Sequence, residues 1–180
     1  MPSPSDQELV MRVRQGEQQA YGDLVRRYQV SVFNLCYRLL GERTLAEDMA
    51  QEAFLRGYQR LETFDASRSF GPWIHRVAVN LCLTHRKKHT PTLVPLQPEM
   101  DAASGEPRPP EARAEAHEEA RRVRRALREL SDIQRAVIEL RHFQGLKYEE
   151  IAETLNLPLN TVKSHLRRAR KVLAQHLTPS

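Results

Sequence analysis

Features that would place this chain in a secreted or membrane-bound class are missing from its sequence. No apolar run approaches the ~20 residues needed to cross a bilayer, and Met1–Ser5 lack the character of a signal peptide. The two cysteines, Cys36 and Cys82, stand alone in apolar helical patterns, without the paired spacing of metal ligands. This predicts core thiols in a reducing compartment. We therefore expect a cytoplasmic protein with no stable membrane insertion.

The chain also has little that indicates an enzyme. It contains no glycine-rich phosphate loop and no convincing pair of a nucleophile and a base. Cys82, His85 and His89 fall at i, i+3 and i+7, a spacing that a metal-dependent nuclease could use on one side of a helix. Cytosolic zinc sites usually come with a second cluster of ligands, however, and the other histidines are scattered. The sequence predicts no catalytic residue, no metal and no cofactor.

Strand-like alternation is absent from the first 89 residues, where apolar residues recur at helical spacing. Ser5–Glu8 fit an S-x-x-E capping box that begins a first helix, and Gly41 is placed to cap the end of a second. Thr44–Glu47 form another such box, which predicts a third helix from about Leu45 to Leu61. After a loop, a fourth helix ends in a basic run. These patterns predict a helical bundle.

Prolines divide the chain into two halves. Six of the 11 prolines lie between residues 90 and 110, a composition that predicts an extended linker. Helical patterns then return, and Ser131–Gln134 fit an S-x-x-Q capping box. The predicted fold class is all-α. It consists of a helical domain at 1–89, a flexible Pro-rich linker at 90–112 and a helix-turn-helix domain at 113–180.

The most informative stretch is Tyr148–Leu173, where two helical patterns flank a break at Asn156–Pro158. Proline is poor inside a helix but suits the first turn of a new one, so the second helix is expected to begin near Pro158. No acidic residue occurs from Asn160 to Ser180. Four residues at helical spacing form a single apolar stripe on the second helix: Val162, Leu166, Ala169 and Leu173.

A helix with one apolar and one basic side can pack against its domain and enter the major groove of DNA. The ordinary alternative is a solvated basic face on a bundle helix. The short helix before it, the proline break and the lack of acids favour a helix-turn-helix with the recognition helix second. The five Lys and Arg residues after Asn160 equal the net charge of +5. That charge and a pI near 9.5 agree with a nucleic-acid partner.

Three blocks of sequence resemble the RNA polymerase sigma factors of the extracytoplasmic-function (ECF) type, the minimal two-domain class of the sigma-70 family. Asp48–Leu55, with the sequence DMAQEAFL, resembles the clamp-binding helix of that family. Phe70–Asn80 resembles the helix that borders the promoter-melting region. Tyr148–Ala152 and Thr161–Arg170 resemble the helix-turn-helix that reads the minus-35 element. The resemblance covers nearly the whole chain.

The resemblance implies a factor that binds RNA polymerase core and promoter DNA, directs initiation, and is controlled by an anti-sigma protein. It implies core-polymerase contacts at Asp48, Gln51, Glu52, Phe54 and Leu55. It implies minus-10 contacts, with base stacking and capture of a flipped base near the loop 65–69, at Phe64, Phe70, Trp73, Arg76, Asn80, Arg86 and Lys87. It implies minus-35 contacts at Tyr148, Thr161, Lys163, Ser164, Arg167, Arg168 and Lys171.

Some residues fit a second interpretation or depart from the family pattern. The spacing of Trp73 to its apolar neighbours also fits a core position. The family often has Asp where this chain has Thr84, and Arg where it has Val79 or His165; we expect His165 to alter phosphate contacts more than base reading. The competing function is a free-standing helix-turn-helix regulator. It explains the C-terminal half equally well but leaves the acidic helix, the aromatic loop and the linker without a task.

Overall fold

The structure is a computed structural model that describes residues 3–89 and 125–177, and within these ranges it contains helices and turns but no strand. The chain divides into two compact units, Met1–Thr92 and Leu93–Ser180. The all-α fold class predicted from the sequence is confirmed. Most of the predicted linker, residues 90–112, lies outside the described residues. None of the described helices combines the length and apolarity that a bilayer crossing requires.

The first unit is a bundle in which α2, α3 and α4 pack against one another and α1 packs on α2. Its described elements are α1 (Asp6–Arg14), α2 (Gln19–Leu40), α3 (Arg43–Gln59), a 3-10 turn (Leu61–Thr63) and α4 (Phe70–Lys88). The predicted capping box at the start of α1 is confirmed. The Ser5 hydroxyl accepts from the Glu8 N–H at 3.2 Å, and the Glu8 carboxylate accepts from the Ser5 N–H at 2.6 Å.

The start of α3 differs from the prediction. As expected, α2 ends at Gly41, which takes the left-handed conformation with φ 79°. Only Glu42 is then extended, and α3 begins at Arg43 without a side-chain cap. The Glu47 carboxylate accepts from Arg43 Nε at 3.0 Å. The predicted capping box at Thr44–Glu47 is therefore wrong, because Thr44 already lies inside the helix and Glu47 pairs with Arg43.

A close approach of α3 to α4 occurs at Gly57. A Cβ added there would lie 2.8 Å from Ile74 Cδ1 and 2.8 Å from the Tyr21 hydroxyl. That hydroxyl donates to the Phe54 carbonyl at 2.6 Å. Only glycine fits at this crossing, so Gly57 sets the spacing of the two helices.

The second unit packs α5 and α6 against α7. Its described helical segments are residues 125–129, α5 (Asp132–Ile138), a π-helical turn (Glu139–Phe143), α6 (Tyr148–Leu155) and α7 (Leu159–Leu177). The predicted capping box at Ser131–Gln134 is confirmed by both of its hydrogen bonds, of 2.9 and 3.3 Å. The helical run also stops before Gly145, as predicted, and this glycine has φ 69°.

Candidate nucleic-acid interface

The turn between α6 and α7 follows from its three residues. Asn156 takes the left-handed conformation, with φ 52° and ψ 50°, which asparagine tolerates better than most residues. The Leu157 N–H then donates to the Ala152 carbonyl at 2.9 Å, which closes the end of α6. The Pro158 carbonyl accepts from Thr161 and Val162 at 2.9 and 3.1 Å, so α7 begins at Leu159. The predicted break and start of the second helix are confirmed.

The apolar stripe of α7 faces the interior of its unit. Val162, Leu166 and Ala169 are at most 2% exposed, and Leu173 is half-buried. Five of the predicted minus-35 residues share the exposed side, within an arc of about 140° at 3.6 residues per turn. These are Lys163, Ser164, Arg167, Arg168 and Lys171. Thr161 is half-buried in the first turn. The helix therefore packs by one side and offers a basic side outward.

Two aromatic residues near α7 have different surroundings. The ring of Tyr148 lies under the Arg141 guanidinium, 4.9 Å from it, so one ring face is occupied. His165 is half-buried, and its Nδ1 is buried without a hydrogen-bond partner among the described residues. Burial, with Arg170 and Arg141 nearby, lowers the pKa of His142. His142 therefore lies beside two basic side chains.

The aromatic residues around the loop 65–69 form one cluster. Phe64 and Phe70 are 4% and 0% exposed, and their ring centroids lie 4.8 and 5.5 Å from that of Trp73. The spacing of Trp73 predicted a core position, but Trp73 is half-buried and therefore occupies the core only in part. The predicted stacking of bases on Phe64 or Phe70 disagrees with this arrangement, because either ring would have to leave the core. Only the indole of Trp73 is accessible.

Trp73 forms part of the wall of a cavity of about 330 Å³ between α3 and α4. Arg76 and Asn80, predicted from the sequence, line the same cavity, and so do Arg56 of α3 and Arg60, the residue that follows α3. An aromatic wall beside arginines and an amide suits a nucleotide, whose base can stack while its phosphate is neutralised. Arg56 and Arg60 were not predicted from the sequence, although their i, i+4 spacing just before the aromatic loop was a usable signal.

The two basic residues predicted at the end of α4 have separate positions. Arg86 is half-buried and its guanidinium donates to the Leu39 carbonyl of α2 at 3.3 Å, so it braces α4 against α2. Lys87 is exposed. The structure therefore gives Arg86 a place in the packing of the bundle, while Trp73, Arg76 and Asn80 meet at the cavity.

The predicted polymerase-binding residues share one exposed face of α3, with one exception. Asp48 and Gln51 are exposed, Glu52 is half-buried and Leu55 is 60% exposed. The exception is Phe54, which is only 8% exposed and belongs to the core of the bundle, so it is not placed to contact a partner directly. The Glu52 carboxylate accepts from Arg56 Nε at 2.6 Å, which joins this face to the cavity.

Comparison with known proteins identifies the family. The chain matches the family models for sigma-70 region 2, over residues 24–92, and sigma-70 region 4, over residues 120–173. It is 34% identical over 177 residues to the ECF RNA polymerase sigma factor SigW of Bacillus subtilis, covering 93% of this chain and 94% of the relative. The chain belongs to the ECF sigma factors. It is also 33% identical over 183 residues to the sigma-E factor of Escherichia coli, covering 97% and 95% of the two chains.

Solved structures agree with the ECF sigma factor fold. CnrH in complex with the cytosolic domain of CnrY matches with a TM-score of 0.70 and 26% identity, covering 97% of each chain. RpoE of Bartonella quintana, in complex with the anti-sigma factor NepR, has the same fold, with a TM-score of 0.69 and 20% identity over 87% of this chain and 96% of that one. The cavity lies in the region 2 match, and the exposed basic face of α7 lies in the region 4 match.

The ECF sigma factor assignment also bears on the residues considered for a nuclease. Cys82 is fully buried, and both its hydrogen bond with Cys36 and its burial raise the pKa of its thiol. The imidazoles of His85 and His89 stack on each other instead, with centroids 4.2 Å apart. Within residues 3–89 and 125–177, no three His, Cys, Asp or Glu residues group as a metal site would require.

Proposed function

We propose that this ECF sigma factor binds RNA polymerase core and directs initiation at promoters that carry both a minus-10 and a minus-35 element. The observation that supports this most strongly is that one chain holds two different surfaces suited to DNA. The first unit has a cavity lined by arginines and an indole. The second has a helix with an exposed basic face. A free-standing regulator would need only the second surface.

In the first unit, the cavity takes a nucleotide of the opened minus-10 element. Trp73 supplies the stacking surface, which is worth ~1–3 kcal/mol per base. Arg56, Arg60 and Arg76 neutralise phosphates, and the exposed Asn80 amide offers a donor and an acceptor to a base edge. Phe64 and Phe70 hold the indole in place from inside the core.

In the second unit, α7 enters the major groove of the minus-35 element. Lys163, Ser164, Arg167 and Arg168 are the residues for base edges and the groove, and Lys171 is the residue for the backbone. Arginine suits a base edge because its planar guanidinium can donate two parallel hydrogen bonds to guanine. Because one chain carries both surfaces, binding of one promoter element raises the effective concentration at which the other is bound. Two weak contacts therefore give tight binding together.

On the outer face of α3, Asp48, Gln51, Glu52 and Leu55 contact the polymerase clamp. Acidic and amide groups there pair with basic side chains of the clamp, which sets the orientation of docking more than its net affinity. Leu55, 60% exposed, adds apolar area to the same face.

The protein acts in the cytoplasm as a binding factor, without catalysis of its own. An anti-sigma protein controls it by covering these surfaces. CnrH, 26% identical to this chain, was solved with the cytosolic domain of a second protein, CnrY, which supports the view that this fold is a target for a regulatory partner.

Run-off transcription from a genomic fragment library tests the proposal, using core polymerase with and without this chain. Discrete new start sites that depend on the chain are expected, and their alignment yields both promoter elements. An Arg167→Glu variant should lose these sites. An Arg128→Glu variant should keep them, because Arg128 is also an exposed arginine of the same unit but lies outside α7. No new start sites, together with tight sequence-specific binding of duplex DNA by the chain alone, would establish the free-standing regulator instead.

A further inference from the structure

The loop 65–69 is held at its start by an arginine from a distant part of the sequence. The guanidinium of Arg14, at the end of α1, donates to the Leu61 carbonyl at 2.8 and 3.3 Å and to the Glu62 carbonyl at 3.3 Å. It also donates to the Phe64 carbonyl. Carbonyls at the end of a helical segment lack partners within it, and the rigid fork of arginine can satisfy several at once.

The first turn of α4, which follows the loop, is contacted by Tyr28 of α2, and the Tyr28 side chain is in turn held by α1. The Tyr28 hydroxyl donates to the Asp6 carboxylate, at the start of α1. The ring of Tyr28 lies against Gly71 in the first turn of α4, where an added Cβ would come within 2.9 Å of Tyr28 Cε1. Arg27 also pairs with Asp6 and donates to the Pro4 carbonyl at 2.8 Å. Helix α1 therefore contacts the segment before the loop directly, through Arg14, and the segment after it indirectly, through Tyr28 of α2.

Between these two sets of contacts, the loop 65–69 forms a turn of its own. The Asp65 carboxylate accepts from the Ser67 N–H at 3.0 Å and from the Ser67 hydroxyl at 2.7 Å. Phe64, whose carbonyl Arg14 holds, packs its ring 4.8 Å from that of Trp73. The path from α1 to the indole wall of the cavity thus consists of one charged side chain and one buried aromatic ring.

We propose that Arg14 is a positioning residue for promoter reading, because it fixes the loop 65–69 and, through Phe64, the orientation of Trp73. The inference rests on the function proposed above. It adds that α1, which contributes no side chain to the cavity lining, determines how well the first unit discriminates minus-10 bases. Helix α1 remains anchored without Arg14, since Leu9 and Val10 are both fully buried. Replacing Arg14 therefore loosens the loop while the bundle stays folded.

The test uses holoenzyme made from core polymerase and the full chain. Its affinity is measured for a single-stranded oligonucleotide with the minus-10 sequence mapped by run-off transcription, and for a scrambled oligonucleotide. Arg14→Gln is expected to lower the preference for the first oligonucleotide about tenfold, the scale of one lost charge-assisted hydrogen bond, with core affinity unchanged. Arg14→Lys, which keeps the charge but not the fork, should restore part of the preference.

Arg12→Gln is the matched control, because Arg12 lies on the same helix and pairs with Glu17. It should leave the preference unchanged. The proposal is overturned if Arg14→Gln keeps the full preference, or if its preference and its core affinity fall together, which would indicate a purely structural role. If the holoenzyme of the unaltered chain shows no preference at all, the proposed function itself fails, whatever the variants do.

Discussion

The exposed basic residues of α7 differ in what they can read. Arg167 has a planar fork suited to a base edge, whereas Lys171 is a point charge suited to phosphate. We expect Arg167→Ala to weaken the binding of promoter DNA by about 1–3 kcal/mol and to relax specificity at one or two base positions.

Lys171→Ala should instead weaken the binding of all promoter sequences uniformly and lower the salt dependence of that binding. Titrations of holoenzyme with single-base promoter variants at two salt concentrations distinguish them; a uniform loss with Arg167→Ala would make it a phosphate contact.

A buried histidine makes the stability of the first unit depend on pH. His75 is 6% exposed, with Nε2 3.0 Å from the Ser31 hydroxyl, and burial lowers its pKa from 6.5 to about 4. The unfolded chain takes up this proton near pH 6.5 and the folded chain only near pH 4. The free energy of unfolding should therefore fall as pH drops through this window, by about 3 kcal/mol at most.

The contribution of His75 is measured by urea unfolding at several pH values. A His75→Gln variant keeps a polar group at this site but cannot titrate, so its free energy of unfolding should fall less between pH 6.5 and 4 than that of the unaltered chain. Equal pH dependence in the two proteins would show that His75 is not the group responsible.

At the scale of helices, the crossing of α3 and α4 depends on Gly57. We expect Gly57→Ala to lower the free energy of unfolding by about 1–3 kcal/mol, because its Cβ would overlap Ile74 and Tyr21. Gly22→Ala is the matched control. Its Cβ would meet only Arg26 Nη1, at an ordinary 3.5 Å. Because alanine is favoured over glycine inside a helix, this variant should raise the free energy of unfolding by about 0.5–1 kcal/mol. Equal losses in chemical denaturation would contradict the close approach.

Helix ends and faces that depend on neighbouring residues could be predicted from the sequence. The capping boxes at Ser5 and Ser131, the cap at Gly41 and the break at Asn156–Pro158 are set within a few residues, and the structure confirms them. The stripe on α7 follows from helical spacing alone. The wrong prediction at Thr44 also depends on neighbouring residues. Two adjacent positions were acceptable starts for α3, and the helix begins at the earlier one, Arg43, because Gly41 ends α2 just before it.

The candidate site could be predicted only in part, because several of its features depend on contacts between distant residues. The family resemblance pointed to Trp73, Arg76 and Asn80, which meet at the cavity. It could not show that Phe64 and Phe70 are buried, since the same aromatic residues would suit an exposed loop. Nor could it pair Arg14 with carbonyls 47 to 50 residues away. Periodicity carries no information about which surface arginine finds a partner across the fold.

At the scale of the whole molecule, each unit has a buried core of its own, with Leu24 and Ile74 in the first and Leu140 and Ile151 in the second. We expect fragments 1–92 and 113–180 to unfold cooperatively when each is made alone. Mixed together with core polymerase, they should support about 100-fold less initiation than the intact chain, because the effective concentration supplied by the linkage is lost. Circular dichroism measures the unfolding of each fragment, and run-off transcription measures initiation. If the mixed fragments were as active as the intact chain, the expected role of the linkage would be contradicted.

The division of α7 into two sides has a consequence for how such a protein can change over generations. Val162, Leu166 and Ala169 hold the helix to its unit, while Lys163, Arg167 and Lys171 lie outside the packing. Surface substitutions away from packing and caps usually alter stability by less than about 0.5 kcal/mol. Mutation can therefore explore new DNA preferences on this helix without endangering the fold. Duplicated copies of the gene could diverge to serve separate sets of promoters, and an experimenter could select orthogonal variants in the same way.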